Sequence, residues 1–228
     1  WYVSEFTEIY CIAVLSFAIY LKEKDGFSKL NIVAILLSLS SLINQGSILF
    51  ILPFLWWVLS DSIKQKSYKN IKNFLIFLSL PQIFTLAVYS YKNLLDLYLA
   101  NYITIPLSYS GDSLSSIYEL RVWIREFYNF NFLIYASIFL IFLVYLLENL
   151  KNIPQVFGNF YVQSIAIAVG YYFAGSHNFY HHLFYVLFFI CFFLSKMESS
   201  FHKFLVVIIV FISTSITFFT FFNKSFSN

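Results

Sequence analysis

Three of the four histidines, His177, His181 and His182, fall within a six-residue window. His177 and His181 stand four apart, one helical turn, a spacing that presents two imidazoles to one ligand. No acidic or cysteine partner lies nearby, so the window does not spell out a metal set, and an interfacial turn with amphipathic rings at headgroup level uses the same residues. The chain has only two arginines, Arg121 and Arg125, again one turn apart, where their planar forks suit a phosphate. A solvated helix face pairing with Glu119 and Glu126 is the plainer reading. Glu5 and Glu8, three apart, share a helix face where a carboxyl pair serves general-base or metal chemistry, or simply complements a helix dipole. Asn44 and Gln45 interrupt an otherwise apolar stretch.

What must position these residues is a set of membrane helices. Of the 228 residues, 60% are hydrophobic and 11% charged, less than half the roughly 25% charged of a soluble domain. The net charge of +3 is too small and scattered for a phosphate-backbone footprint, which excludes nucleic acid as the main partner. Apolar runs cover about residues 6–21, 30–43, 47–59, 73–90, 131–147, 158–174, 180–195 and 204–222. In lipid such runs must be helices, because backbone polar groups have to be satisfied within their own segment. The expectation is therefore an all-α polytopic membrane protein of about eight apolar helices, residues 1–228 forming one transmembrane domain. The runs at 30–43 and 47–59 are short, and Asn44-Gln45-Gly46 between them predicts a broken pair rather than one long helix. An isolated Phe or Tyr reads as lipid-facing filler, and Cys11 and Cys191 inside apolar runs give no disulfide framework. The start at Trp1, without an initiator Met or a basic leader, predicts a fragment lacking its N-terminal part.

Lysine bias sets the expected sidedness. Lys22, Lys24 and Lys29 in one linker and Lys64, Lys66, Lys69 and Lys72 in another place both on the cytoplasmic side. The stretch 91–130 then becomes an outer loop with amphipathic helices. Leu94, Leu95, Tyr98, Leu99 and Tyr102 recur at helical spacing, as in a helix on the bilayer surface. After Ile105-Pro106, a capping box at Ser116 and Glu119 opens a second helix with Ile117, Leu120, Ile124 and Phe127 on one face. Glu5, Glu8, Asn44, Gln45, both arginines and the histidine window all collect on the outer face.

Three stretches resemble the GT-C superfamily of membrane glycosyltransferases, near the dolichyl-phosphate-mannose protein mannosyltransferase and lipid A aminoarabinose transferase type. Thr7-Glu8 followed by an apolar helix to Ala18-Ile19-Tyr20-Leu21 is similar to the family's T-E-N, apolar run, A-L-Y-L segment. The run from Leu39 to Pro53 resembles its G-L-A-F-L-x-K-Q-T-x-L-L-F-L-L-P stretch, with Asn44 in the place of Lys. Gly175 to His182 is similar to its G-R-x-F-x-H-Y motif. The resemblance implies transfer of a sugar from a polyprenyl-phosphate donor to an acceptor on the outer face of a bacterial inner membrane. It implies substrate-binding roles for Arg121, Arg125, His177, His181 and His182, with Asn44 and Gln45 positioning lipid phosphate or sugar hydroxyls. The family's catalytic carboxylate lies upstream of the matched segments, so no catalytic residue is assigned, and no cofactor is named. A transporter or flippase half, whose broken helix pair would form a midplane site, is the alternative from a different class. A polysaccharide polymerase or ligase is a third.

Overall fold

Gly26 turns the chain. Its φ of +56° lies in the left-handed region that glycine enters without steric cost. In the computed structural model, which describes residues 4–104, 156–174 and 183–195, it opens a 3₁₀ turn, Gly26–Lys29, between helices α1 (Ser4–Asp25) and α2 (Leu30–Ile43). The two helices pair antiparallel, since Cys11 Sγ donates to the Ser40 carbonyl at 3.3 Å and Glu8 meets Asn44 at 2.8 Å. Cys11, Leu15, Ala18 and Ile19 on α1 and Leu30, Val33, Ala34 and Leu37 on α2 are buried, each set a helical stripe at spacings of three and four.

At Asn44 the helix stops. Its extended backbone, φ −139° and ψ 118°, separates α2 from a 3₁₀ run, Gln45–Phe50, that leads into α3 (Ile51–Gln65). The expected interruption at 44–46 is present, but the second piece is longer than its apolar run. From Gln45 to Gln65 the helical stretch has 21 residues, enough to cross a membrane. The mostly polar stretch 60–65 continues the helix because polarity does not end one. Lys66, at φ 51° in the left-handed conformation, does. Phe27 stacks on Trp57 with centroids 4.4 Å apart and Lys22 Nζ stands 5.4 Å above the same ring, so α3 brings the chain back to the end where α2 began.

Helix α4 (Lys69–Tyr91) crosses beside α2 and buries only Phe74 fully. Ile83 is 58% and Phe84 71% exposed, an apolar face that lipid suits better than water. Among the described residues, three helical stretches, Thr7–Ile43, Gln45–Gln65 and Lys69–Tyr91, are long and apolar enough to cross a membrane, and the first is the folded α1–α2 pair.

Beyond α4 the chain is helical from Leu95 to Thr104, over the stretch where the spacing of Leu94 to Tyr102 predicts a helix, but its second half is wound more widely. Helix α5 has five residues, Leu95–Leu99, and a π turn, Ala100–Thr104, follows. The wider turn brings Tyr102 back to the bundle, where its hydroxyl donates to the Ser41 carbonyl, while Tyr89, Tyr98 and Tyr102 form a ladder with centroids 4.8 and 5.1 Å apart. Tyr102→Phe should therefore cost about 1 kcal/mol, the net worth of one hydrogen bond. Amide exchange in 95–104 is expected to quicken while that of α1 and α2 stays as it was; equal exchange in parent and variant would show that the hydroxyl does not hold the segment.

Helices α6 (Phe160–Ala174) and α7 (Leu183–Ser195) occupy the runs expected at 158–174 and 180–195, and every regular element among the described residues is helical. Of these residues, 4–104, 163–174 and 183–189 belong to one compact unit, and 156–162 with 190–195 to another. In the first, Phe50 packs against Tyr185 and Phe189, each at 5.0 Å. In the second, the Asn159 carboxamide oxygen accepts from the Tyr161 N–H at 2.8 Å at the start of α6, and Tyr161 stacks on Phe192 at 6.5 Å. Phe50, Tyr185 and Phe189 are fully buried, so these aromatics are core and not lipid-facing filler. The runs at 131–147 and 204–222 and the capping box at 116–119 lie outside the described residues.

Candidate functional site

Glu8 is 2% exposed near the start of α1, where burying a carboxyl is costly unless hydrogen bonds replace water. Two neutral donors do so. The Thr7 hydroxyl donates to Oε2 at 3.2 Å, and Asn44 Nδ2 donates to Oε1 at 2.8 Å. The orientation of Asn44 follows from its other contact: the Gly46 N–H donates to Oδ1 at 2.9 Å, which leaves the amide group to face the carboxyl. Tyr171 on α6 adds its hydroxyl to Oδ1 at 3.4 Å. The break in the helix is thus what makes the site, because an α-helical Asn44 would have no side chain free both to cap the next turn and to reach α1.

Beneath this lies a layer of small polar groups. Ser47 Oγ donates to the Asn44 carbonyl at 2.8 Å, and Ser40 Oγ donates to Ser47 Oγ at 3.0 Å. The Cys11 thiol sits among Ser40, Ser47 and the Tyr185 hydroxyl. Tyr171 closes the side, its ring lying where a Cβ on Gly46 would fall, and Tyr185 meets it edge-on at 5.8 Å. Chemically the arrangement is a fixed carboxyl at one end of an apolar bundle. Such a carboxyl can orient a hydroxyl of a bound molecule.

A second polar group of residues lies between α2 and α4. Gln82, next to Pro81 in the middle of α4, donates through Nε2 to Ser41 Oγ at 2.8 Å and to the Ser38 carbonyl at 3.4 Å. Together with Ser79 and Tyr102 these residues line a groove of about 600 Å³, whose remaining walls include Ile48, Ile51, Leu75 and Ile76.

Of the residues singled out in the sequence, Glu8 and Asn44 come together. Gln45 does not join them: its Nε2 donates to the Asn101 carbonyl at 2.9 Å and ties down the π turn. Glu5 lies in the first turn of α1 with its side chain outside those described. Arg121, Arg125, His177, His181 and His182 lie outside the described residues. Among the described residues no three of His, Cys, Asp and Glu converge as a metal-binding set. Tyr171, Ser40, Ser47 and Gln82 escaped the sequence reading. The cluster Ser38, Ser40, Ser41 within an apolar helix, and a lone amide beside Pro81, were the signals available for two of the layers; nothing in the sequence marked Tyr171 out from seventeen other tyrosines. No family model matches the chain, and neither the curated proteins nor the solved structures include a match.

Proposed function

We propose that this chain belongs to an integral membrane glycosyltransferase of the GT-C kind, with about eight apolar helices along its length. It transfers a sugar from a polyprenyl-phosphate donor to an acceptor on the outer face, and its Lys-rich linkers at 22–29 and 60–72 face the cytoplasm of a bacterial cell. One observation supports this reading above the others. Thr7-Glu8 and Asn44-Gln45-Gly46, the hearts of two stretches that resemble the family, are 36 residues apart in sequence and meet at 2.8 Å through Glu8 and Asn44.

In this reading Glu8 and Asn44 form a polar seat for a hydroxyl of donor or acceptor. Arg121 and Arg125 hold the donor phosphate, which leaves as the sugar is transferred, and His177, His181 and His182 line the same outer mouth. The carboxylate that activates the acceptor lies outside the stretches discussed.

Reconstitution into vesicles with a radiolabelled polyprenyl-phosphate sugar tests the proposal through label passed to an acceptor. Arg121→Ala or Arg125→Ala should weaken donor use by about 1.5 to 3 kcal/mol, the usual worth of a hydrogen bond to a charged group, and lysine should rescue only partly. Glu8→Gln keeps an acceptor for Asn44, so it should preserve folding while lowering transfer. Label that crosses the bilayer without reaching any acceptor would replace transfer by transport.

A further inference from the structure

The groove between α2 and α4 has a polarity gradient. At one end stand Ser38, Ser41, Gln82 and Tyr102; about 10 Å along α4, seven residues at 1.5 Å each, stand Leu75 and Ile76. None of the residues lining it carries a charge, so neither a phosphate nor an ammonium group is matched there. Its rim is open to the surroundings: Ile48 and Leu75 are each 49% exposed and Ile76 is 43% exposed. In a bilayer that rim meets hydrocarbon. Ser38, 1% exposed, lines the polar end, and its hydroxyl has no hydrogen-bond partner. A buried donor without an acceptor is uncommon and points to a group that supplies one.

We propose that this groove binds one acyl chain of a membrane glycerolipid, with the ester carbonyl at the Ser38–Gln82 end and the chain running toward Leu75 and Ile76. The match is one of shape and polarity together: a neutral acceptor above, hydrocarbon below. The Ser38 hydroxyl is the donor the ester satisfies. The inference rests on the membrane part of the reading above and not on sugar transfer, so the donor lipid is not the ligand meant here.

The test uses the full chain in phosphatidylcholine nanodiscs doped with phosphatidylcholine carrying a diazirine midway along one acyl chain. After irradiation, adducts are mapped by peptide mass spectrometry. Labelling on Leu75, Ile76 and Ile48 is expected to exceed that on Ile83 and Phe84, which are more exposed and equally apolar. Ser79→Trp, which fills the groove, should erase the excess and leave labelling of Ile83 and Phe84 unchanged. On the unaltered protein, an ether-linked analogue lacking the carbonyl should compete roughly 2- to 10-fold less well than the ester lipid, the range for losing one hydrogen bond. Even labelling of the whole face of α4, or equal competition by ether and ester lipids, overturns the proposal. Absence of label from Ile83 and Phe84 as well would instead remove the membrane placement itself.

Discussion

Asn44→Leu should destabilise the protein by about 2 to 4 kcal/mol. Leucine keeps the branched skeleton of asparagine but replaces its amide by two bulkier methyl groups, which can neither accept nor donate a hydrogen bond. One part is the lost cap: the Gly46 N–H, now bonded to Oδ1 at 2.9 Å, has no acceptor at the start of the 3₁₀ run, a loss on the order of 1 kcal/mol. The larger part is at Glu8, whose Oε1 loses its 2.8 Å donor while staying 2% exposed. A buried polar group stripped of its partner costs about 1 to 3 kcal/mol. Asn44→Asp separates the two parts, since aspartate still caps Gly46 but sets a second carboxyl against the first, where like groups disfavour joint ionisation. It should therefore keep the cap on Gly46 while losing the donor to Glu8. The double variant Asn44→Leu/Glu8→Leu also removes the carboxylate oxygen that lost its Asn44 donor, so it should be more stable than Asn44→Leu alone. Thermal unfolding in detergent measures all four proteins. Asn44→Leu melting with the parent would mean that the Glu8–Asn44 contact does not help hold α1 against the break.

Much of this arrangement can be read from the sequence, and the parts that cannot have a common cause. Asn44-Gln45-Gly46 is visible as a break because two amides and a glycine between apolar runs are expensive in any continuous lipid-facing helix. Glu8 and Asn44 each stand out by polarity against apolar neighbours, and the turn between α1 and α2 is announced by Asp25-Gly26. Polarity alone, however, does not say which way a residue faces across such a break. Gln45 looks like a twin of Asn44, yet a one-residue step out of the extended conformation sends it to Asn101. Tyrosines carry still less signal, because a hydroxyl on a ring serves equally at a lipid interface and in a core. Tyr102, Tyr171 and Tyr185 take their roles from contacts with Ser41, Asn44 and Phe50, which are 61, 127 and 135 positions away, and no local pattern encodes these. The end of α3 is hidden from the sequence for a related reason: the apolar run stops at Leu59, whereas the helix stops only where Lys66 changes backbone conformation.

The same limit explains Gly46, whose small size serves packing and not backbone freedom. Its φ is not positive, so alanine would fit the backbone and would ordinarily stabilise it by about 0.4 to 1 kcal/mol through a stiffer unfolded chain. Here the sign should reverse. A Cβ would land on the far edge of the Tyr171 ring, and either the ring or the 3₁₀ run must move. Moving the ring breaks its 3.4 Å hydrogen bond to Asn44 and its edge contact with Tyr185; moving the run displaces the cap that orients Asn44 toward Glu8. Overpacking of this kind costs about 1 to 3 kcal/mol, which exceeds the unfolded-state gain, and Gly46→Val should cost more than Gly46→Ala. Tyr171→Leu will destabilise on its own account by removing aromatic contact. Combined with Gly46→Ala it should nevertheless lose less than the sum of the two, by a coupling of about 0.5 to 3 kcal/mol, because the leucine vacates the space that the new methyl occupies. Unfolding midpoints of the four proteins close the cycle. Additive losses would mean that the ring and the glycine do not share that space, and a Gly46→Ala variant more stable than the parent would show that the ring yields without cost.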